Sequence, residues 1–189
     1  MNRKLLFAFP ALLASGAVLA HDGHHHVHGL MSGLAHPFSG ADHLLAMVAV
    51  GLLAGMLGAG SRWRLPLAFL GAMALGAVAA LAGIGGGAPL EQALALGVLA
   101  LGLAIAFVAR MRPALAIMLV AFCAIFHGHA HGAELPAQVD ALGYVTGFVL
   151  STAVLHGAGL LLAQLLRARP VARVAGGAIA LAGLVLVLV

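Results

Sequence analysis

The sequence predicts an all-α integral membrane protein, with six transmembrane helices after a cleavable signal peptide. Of its 189 residues, 63% are hydrophobic and only 7% are charged, a balance that soluble domains of this length do not show. The apolar residues form six segments near or above the length of about 20 helical residues that spans a bilayer. The nine basic residues fall in short clusters, each at the end of an apolar segment.

Residues 1–20 have the layout of a secretory signal peptide, with Arg3 and Lys4 before an apolar run and cleavage after Ala20. A retained, short seventh helix is the alternative. Residues 21–35 follow as a His-rich periplasmic tail that begins with the sequence HDGHHHVH. This composition is typical of a metal-attracting arm, with a solvated polar spacer as the alternative.

Residues 36–189 form the predicted six-helix transmembrane domain. Its spans cover about residues 36–60, 65–84, 90–109, 113–133, 139–166 and 171–189. Arginines occur only in the loops after the first, third and fifth spans, whereas Glu91, Glu134 and Asp140 flank the other two loops. By the positive-inside rule the arginine loops are cytoplasmic. We therefore expect a protein of the bacterial cytoplasmic membrane whose mature N-terminus is periplasmic.

Composition and motifs exclude several other classes. The formal charge of +4 could suggest a nucleic-acid partner, but the basic residues form no continuous stripe. Gly85-Gly86-Gly87 lacks the Lys-Ser/Thr of a phosphate loop. The single Cys123 allows no disulfide framework. Neither His-Glu-x-x-His nor an extended histidine-box set occurs, so we do not expect an enzyme.

Histidines and carboxylates interrupt three of the apolar spans. They are His36, Asp42 and His43 in the first span, His127, His129, His131 and Glu134 in the fourth, and His156 in the fifth. Such groups in a transmembrane segment normally face a cavity or a partner. Imidazole with carboxylate is also a ligand set that divalent transition metals accept. The sequence therefore predicts a metal-binding interior.

Helical phase separates probable ligands from bystanders. His127, His131 and Glu134 share one face at spacings of four and seven residues, and Cys123 lies on that face one turn deeper. His129 points nearly the opposite way. Asp42 and His43 are consecutive, so both reach one ion only if the helix start is irregular, which nearby Pro37 and Gly40 favour.

For each histidine, the alternative to metal binding is a structural hydrogen bond between helices. This alternative is strongest for His156, which is isolated in the sequence. Cys123 and Met47 are interpreted as packing residues.

Depth in the membrane can be counted along the helices from the arginine loops. His43 and His131 lie about 28 Å from those loops and His156 about 16 Å. The groups therefore descend from the outer surface towards the membrane centre, as an entry path would. Three glycine pairs at GxxxG spacing favour close helix contacts on the helices that carry the polar groups, namely Gly51/Gly55, Gly128/Gly132 and Gly143/Gly147.

Two of these segments resemble the signatures of the HupE/UreJ nickel permeases. They are His36-Pro37-Phe38-Ser39-Gly40-Ala41-Asp42-His43 and Phe126-His127-Gly128-His129-Ala130-His131-Gly132-Ala133-Glu134, and Leu155-His156-Gly157-Ala158-Gly159 is similar to a further motif of that family. The resemblance implies a secondary transporter that imports Ni²⁺, or Co²⁺ in some members. It implies His36, Asp42, His43, His127, His131 and Glu134 as functional residues, with His156 less firmly, and it puts His129 at a variable position.

The expected partners are the transported divalent metal ion and membrane lipid, without nucleic acid and without a prosthetic group. Six short spans also leave room for an oligomer. The main alternative function is a membrane haem protein similar to a b-type cytochrome, in which two histidines hold the iron.

Overall fold

The computed structural model describes residues 29–85, 89–108, 111–135, 140–166 and 169–189. The predicted signal peptide and the histidines of the predicted tail, over residues 1–28, lie outside the described residues. Every regular element within those ranges is helical. The elements are α1 (Gly29–Ala35), a 3₁₀ turn (His36–Phe38), α2 (Ala41–Leu57), α3 (Arg64–Leu81), α4 (Leu90–Ala106), α5 (Pro113–Ala133), α6 (Ala141–Leu165) and α7 (Arg169–Leu188).

Local sequence explains where several helices begin and end. Pro113 starts α5, where its missing N–H group costs no hydrogen bond. The carboxylate of Asp140 caps α6 by accepting from the backbone N–H groups of Leu142 at 3.2 Å and Gly143 at 3.0 Å. Gly58 follows α2 with φ of 97°, a left-handed conformation that favours glycine.

Four helices are long and apolar enough to cross a membrane, namely α3, α5, α6 and residues 170–188 of α7. The segment Gly29–Leu57 is a fifth candidate, although it is bent by 81° at its break. The outer faces are apolar too: Leu75, Phe122 and Leu161 are 69%, 62% and 56% exposed. Apolar surface of this extent indicates a multi-pass membrane protein. The third predicted span, α4, has 17 residues and is shorter than these four helices, so the count of six stays a prediction.

The helices pack mainly in pairs, α2 with α6, α3 with α5, and α4 with α7, while α1 also lies on α6. Glycines let the backbones touch in each pair. Gly51 lies against His156 of α6, Gly128 against Met73 of α3, and Gly102 against Ala180 of α7. Residue order along these contacts makes α2/α6 and α3/α5 parallel and α4/α7 antiparallel, which are the directions that the alternating loops require.

Helix α2 is the centre of the bundle. Met47, Val50, Leu52 and Leu53 on different sides of it are fully buried, as expected for a helix that is apolar all round. Its first residues reach the end of the bundle where α5 ends and α6 begins. The core therefore places the polar start of α2 between those two helices.

The first predicted span is not one continuous helix, and the helical region begins before residue 36, where the sequence analysis placed its start. Residues 29–35, assigned above to the tail, form α1, which packs on α6 through Gly29 and Gly33. The glycine pair Gly143/Gly147 makes this contact from the α6 side. The irregularity expected at Pro37 and Gly40 is confirmed, since the 3₁₀ turn ends there and α2 begins only at Ala41.

Candidate metal centre

The break before α2 positions three of the predicted ligands. Ser39 closes the 3₁₀ turn by donating both its backbone N–H, at 3.0 Å, and its hydroxyl, at 2.6 Å, to the carbonyl oxygen of His36. Gly40 is extended, with φ of −119° and ψ of 131°, and the chain then enters α2. This corner brings the His36 ring to 5.9 Å from the His43 ring, centroid to centroid. The bend before α2 thus brings the two rings together.

The last turns of α5 supply the opposing side chains. His131 and His127 are both buried, and their rings lie 4.6 Å and 5.2 Å from the His43 ring. His127 donates its Nδ1–H group to the carbonyl oxygen of Cys123 at 2.9 Å, which leaves the Nε2 lone pair free to bind a metal. The shared face predicted from helical phase is therefore confirmed for these two histidines.

We refer to His36, His43, His127 and His131 as the histidine cluster. Ligand nitrogens of His36, His43 and His131 lie within 4.8 Å of one another, and the His36 and His131 rings are 4.7 Å apart. Metal–nitrogen bonds are about 2.0–2.1 Å long. Two nitrogens on one ion can therefore be at most about 4.2 Å apart, so a group of nitrogens within 4.8 Å is close to the size of one coordination sphere.

Two carboxylates join the cluster from its edges. Asp42 Oδ1 lies 3.0 Å from Nδ1 of His43, and Glu134 Oε2 lies 3.6 Å from Nε2 of His36. Glu134 is the C-cap residue of α5, and its side chain is 59% exposed, against 23% for Asp42. Glu134 is therefore positioned to meet an ion at the mouth, while Asp42 is positioned deeper in the site.

The buried imidazole nitrogens are largely without hydrogen-bond partners in the described part of the chain. They include Nε2 of His43, both ring nitrogens of His131, and Nε2 of His127. A buried polar atom left unpaired is unfavourable by about 1–3 kcal/mol. Interhelical hydrogen bonding, the structural alternative for these residues, does not account for them. A cation bound among the rings would satisfy several of these atoms at once.

Aromatic residues of α6 form one wall of the site. The Phe148 ring packs 4.1 Å from the His131 ring, and the Tyr144 ring lies 5.6 Å from that of His36. The sequence analysis did not identify either residue. Tyr144 is buried. It is the one tyrosine of the chain, so the sequence could have marked it as a candidate. Nothing in the sequence distinguishes Phe148 from the other phenylalanines.

His156 is the predicted site residue that does not reach the cluster. It is buried on α6, and the ring that it contacts is Phe69 of α3, at 5.1 Å between centroids. Phe69 also contacts His127, at 5.8 Å. The structure thus brings together His36, Asp42, His43, His127, His131 and Glu134, and it places His156 apart from them. Metal binding by any of the seven stays a prediction.

The expected bystanders lie outside the cluster. His129 points away from it, and its Nε2 is 2.8 Å from the carbonyl oxygen of Ile84, in the segment that follows α3. Cys123 is buried with its sulfur 3.9 Å from the carbonyl oxygen of Gly97 on α4. Both placements agree with the interpretations from helical phase and packing.

Comparisons with known proteins give a consistent result. The chain matches the protein family described as HupE / UreJ protein over residues 9–186. It is 47% identical over 184 residues to Protein HupE of Rhizobium leguminosarum bv. viciae, and the alignment covers 95% of each chain. No solved structure matches the chain.

Proposed function

Since the chain belongs to the HupE/UreJ family, we propose that it is a secondary transporter that imports Ni²⁺, with Co²⁺ as the alternative cargo, across the bacterial cytoplasmic membrane. The observation that carries the proposal is the convergence of three histidines on one ion-sized space at the end of an apolar helix bundle. Borderline divalent metals favour this combination of imidazole and carboxylate ligands.

The charges of the site suit a dication. Asp42 and Glu134 supply two negative charges beside neutral imidazoles, so one M²⁺ would leave the site close to neutral. This matters because an uncompensated charge is costly in a membrane interior. The order of metal affinities favours Cu²⁺ over Ni²⁺, so discrimination between metals must come from the geometry of the cluster and from metal availability.

The position of the cluster supports inward transport. Helix α5 begins beside Arg112 and ends at Glu134, so the cluster lies at the end of the bundle opposite that arginine. With arginine loops in the cytoplasm, the cluster and the mature N-terminus face the periplasm. A dication that moves inward gains about 4.6 kcal/mol per 100 mV of membrane potential. This corresponds to roughly a 2,000-fold accumulation, so import needs no nucleotide.

Ring packing disfavours the haem alternative. Two histidines that hold a haem iron have the flat macrocycle between their rings. The His43 ring instead lies 4.6 Å from His131 and 5.2 Å from His127 in tilted, direct contact.

Radioactive Ni²⁺ uptake by cells or proteoliposomes tests the proposal. We expect His43→Ala and His131→Ala to reduce the initial uptake rate at least tenfold, because each removes a central ligand. His129→Ala is the matched control, since it removes a histidine of the same helix that points away from the cluster. Near-normal uptake in both cluster variants, at wild-type protein levels, would refute the site assignment.

A further inference from the structure

One aromatic side chain contacts two buried histidines on different helices. The Phe69 ring of α3 lies 5.8 Å from the ring of His127 on α5 and 5.1 Å from the ring of His156 on α6. The second contact is edge-to-face, with 87° between the ring planes. Phe69 has no solvent exposure. An apolar ring therefore fills the space that the two imidazoles share.

The helix register places these rings in order along the bundle. Gly128 lies against Met73 and Gly132 against Ala77 in the parallel α3/α5 pair, so Phe69 lies at the level of Ala124. That level is three residues, or about 4.5 Å, below His127. His156 follows Phe148, which packs on His131, by eight residues, or about 12 Å along α6. Counted inward from His131, His127 lies about 6 Å down, and Phe69 and His156 follow at nearly the same depth, about 10–12 Å down.

The imidazole nitrogens near Phe69 are available as ligands. Nε2 of His127 and both ring nitrogens of His156 are buried and have no hydrogen-bond partner among the described residues. A histidine that served only to join helices would donate or accept a hydrogen bond across the interface. His156 does neither within the described ranges, although it is only 2% exposed.

Other ligand-type atoms lie one turn away on the same inward side of the cluster. Thr152, one turn before His156 on α6, donates its hydroxyl to the sulfur of Met47 at 3.5 Å. Met47 lies one turn below His43 on α2, and both Thr152 and Met47 have no solvent exposure. An oxygen and a thioether sulfur are thus present in the otherwise apolar stretch below the cluster.

We propose that Phe69 is a barrier between the histidine cluster and an inner metal-binding position at His156. A metal ion passes from His127 to His156 when the ring is displaced. The inference rests on the proposed function for the identity of the cargo. The barrier itself is a property of the packing, because a buried aromatic ring excludes both water and a coordinated ion.

Thiol accessibility tests the barrier independently of transport. In a Cys123→Ala background, His156→Cys provides the one thiol, and a small membrane-impermeant cationic methanethiosulfonate reagent is applied from the side of the cluster. With Phe69 intact we expect slow labelling. Phe69→Ala should increase the labelling rate at least tenfold, and Phe69→Leu, which retains more of the packing, should give an intermediate rate.

Phe122→Ala is the matched control, because the Phe122 ring is on the outer face of α5 and 62% exposed. It should leave labelling at position 156 unchanged. Equal labelling rates in the Phe69 and Phe122 variants, or fast labelling with Phe69 intact, would overturn the inference. If both Phe69 variants lost thermal cooperativity, a Phe69→Trp variant would replace them, and unchanged or faster labelling in that variant would overturn the inference as well.

Ni²⁺ uptake tests the inner metal-binding position at His156. Proteoliposomes with His156→Ala should take up Ni²⁺ at least tenfold more slowly than the wild type, while equilibrium Ni²⁺ affinity at the cluster stays within about twofold, a difference below 0.5 kcal/mol. Wild-type uptake by this variant would overturn the inner position and leave the proposed function standing. Absence of Ni²⁺ flux in the wild type would overturn the proposed function, whereas the labelling result would still decide the barrier.

Discussion

Gly128 on α5 is a position where one added methyl group should separate two helices of the site. A Cβ atom there would collide with the backbone of Met73 on α3. Backbone atoms cannot rotate away as a side chain can, so the collision can be relieved only by moving α3 and α5 apart. His127 and His131 flank Gly128, and they would move with α5.

The size of the effect follows from two opposing contributions. Overpacking of a filled contact costs about 1–3 kcal/mol, and we expect the upper part of that range because backbone is involved. Alanine is favoured over glycine in a helix by about 1 kcal/mol. Gly128→Ala should therefore lower the free energy of unfolding by about 2 kcal/mol, equivalent to roughly 4–8 °C in Tm for a chain of this size.

Gly71 on α3 is the matched control. A Cβ atom there meets nothing within 4 Å, so Gly71→Ala retains only the gain in helix propensity and should raise Tm by roughly 2–4 °C. Thermal unfolding of both detergent-solubilised variants, followed by circular dichroism, measures the difference. A Tm for Gly128→Ala equal to or above that of Gly71→Ala would refute the close α3/α5 contact.

Three further predictions concern the site. Gly40→Ala should weaken Ni²⁺ binding about tenfold by calorimetry, because its Cβ would lie 2.6 Å from Asp42 Oδ1 and 3.0 Å from His43 Nδ1; unchanged affinity would contradict the described corner. His129→Ala should lower Tm by roughly 2–4 °C through loss of its contact with Ile84 and leave Ni²⁺ affinity unaltered, and a large drop in affinity would instead assign His129 to the site. Lowering the pH from about 7.5 to about 6 should weaken Ni²⁺ binding, because protons compete for imidazole nitrogens; titrations that are superimposable at the two pH values would argue against histidine ligands.

Hydropathy and helical phase predicted much of the architecture because both depend on local sequence. The ranges 113–133 and 141–165 differ little from the predicted fourth and fifth spans. The separation of His127 and His131 from His129 also follows from phase alone. The irregular start of α2 was predicted because Pro37 and Gly40 both disfavour a continuous helix.

Features that depend on contacts between helices could not be predicted from hydropathy and helical phase. Glycine spacing at Gly143 and Gly147 predicted a close contact but not its partner, which is α1. Depth along the helices put His156 on the path of the other histidines, yet depth gives no information on which side chain fills the space between two helices. The position of Phe69 against His127 and His156 is therefore known only from the three-dimensional structure.

The paired packing of the helices has a consequence for how the protein responds to its cargo. His36 and His43 belong to the segment that lies on α6, whereas His131 belongs to the α3/α5 pair. Glycine contacts hold the backbones of each pair close together, so a movement of His36 and His43 relative to His131 would change the spacing between pairs more than the shape of either. Spin labels on the outer faces of α3 and α6 would register such a movement on metal loading as a change in inter-label distance.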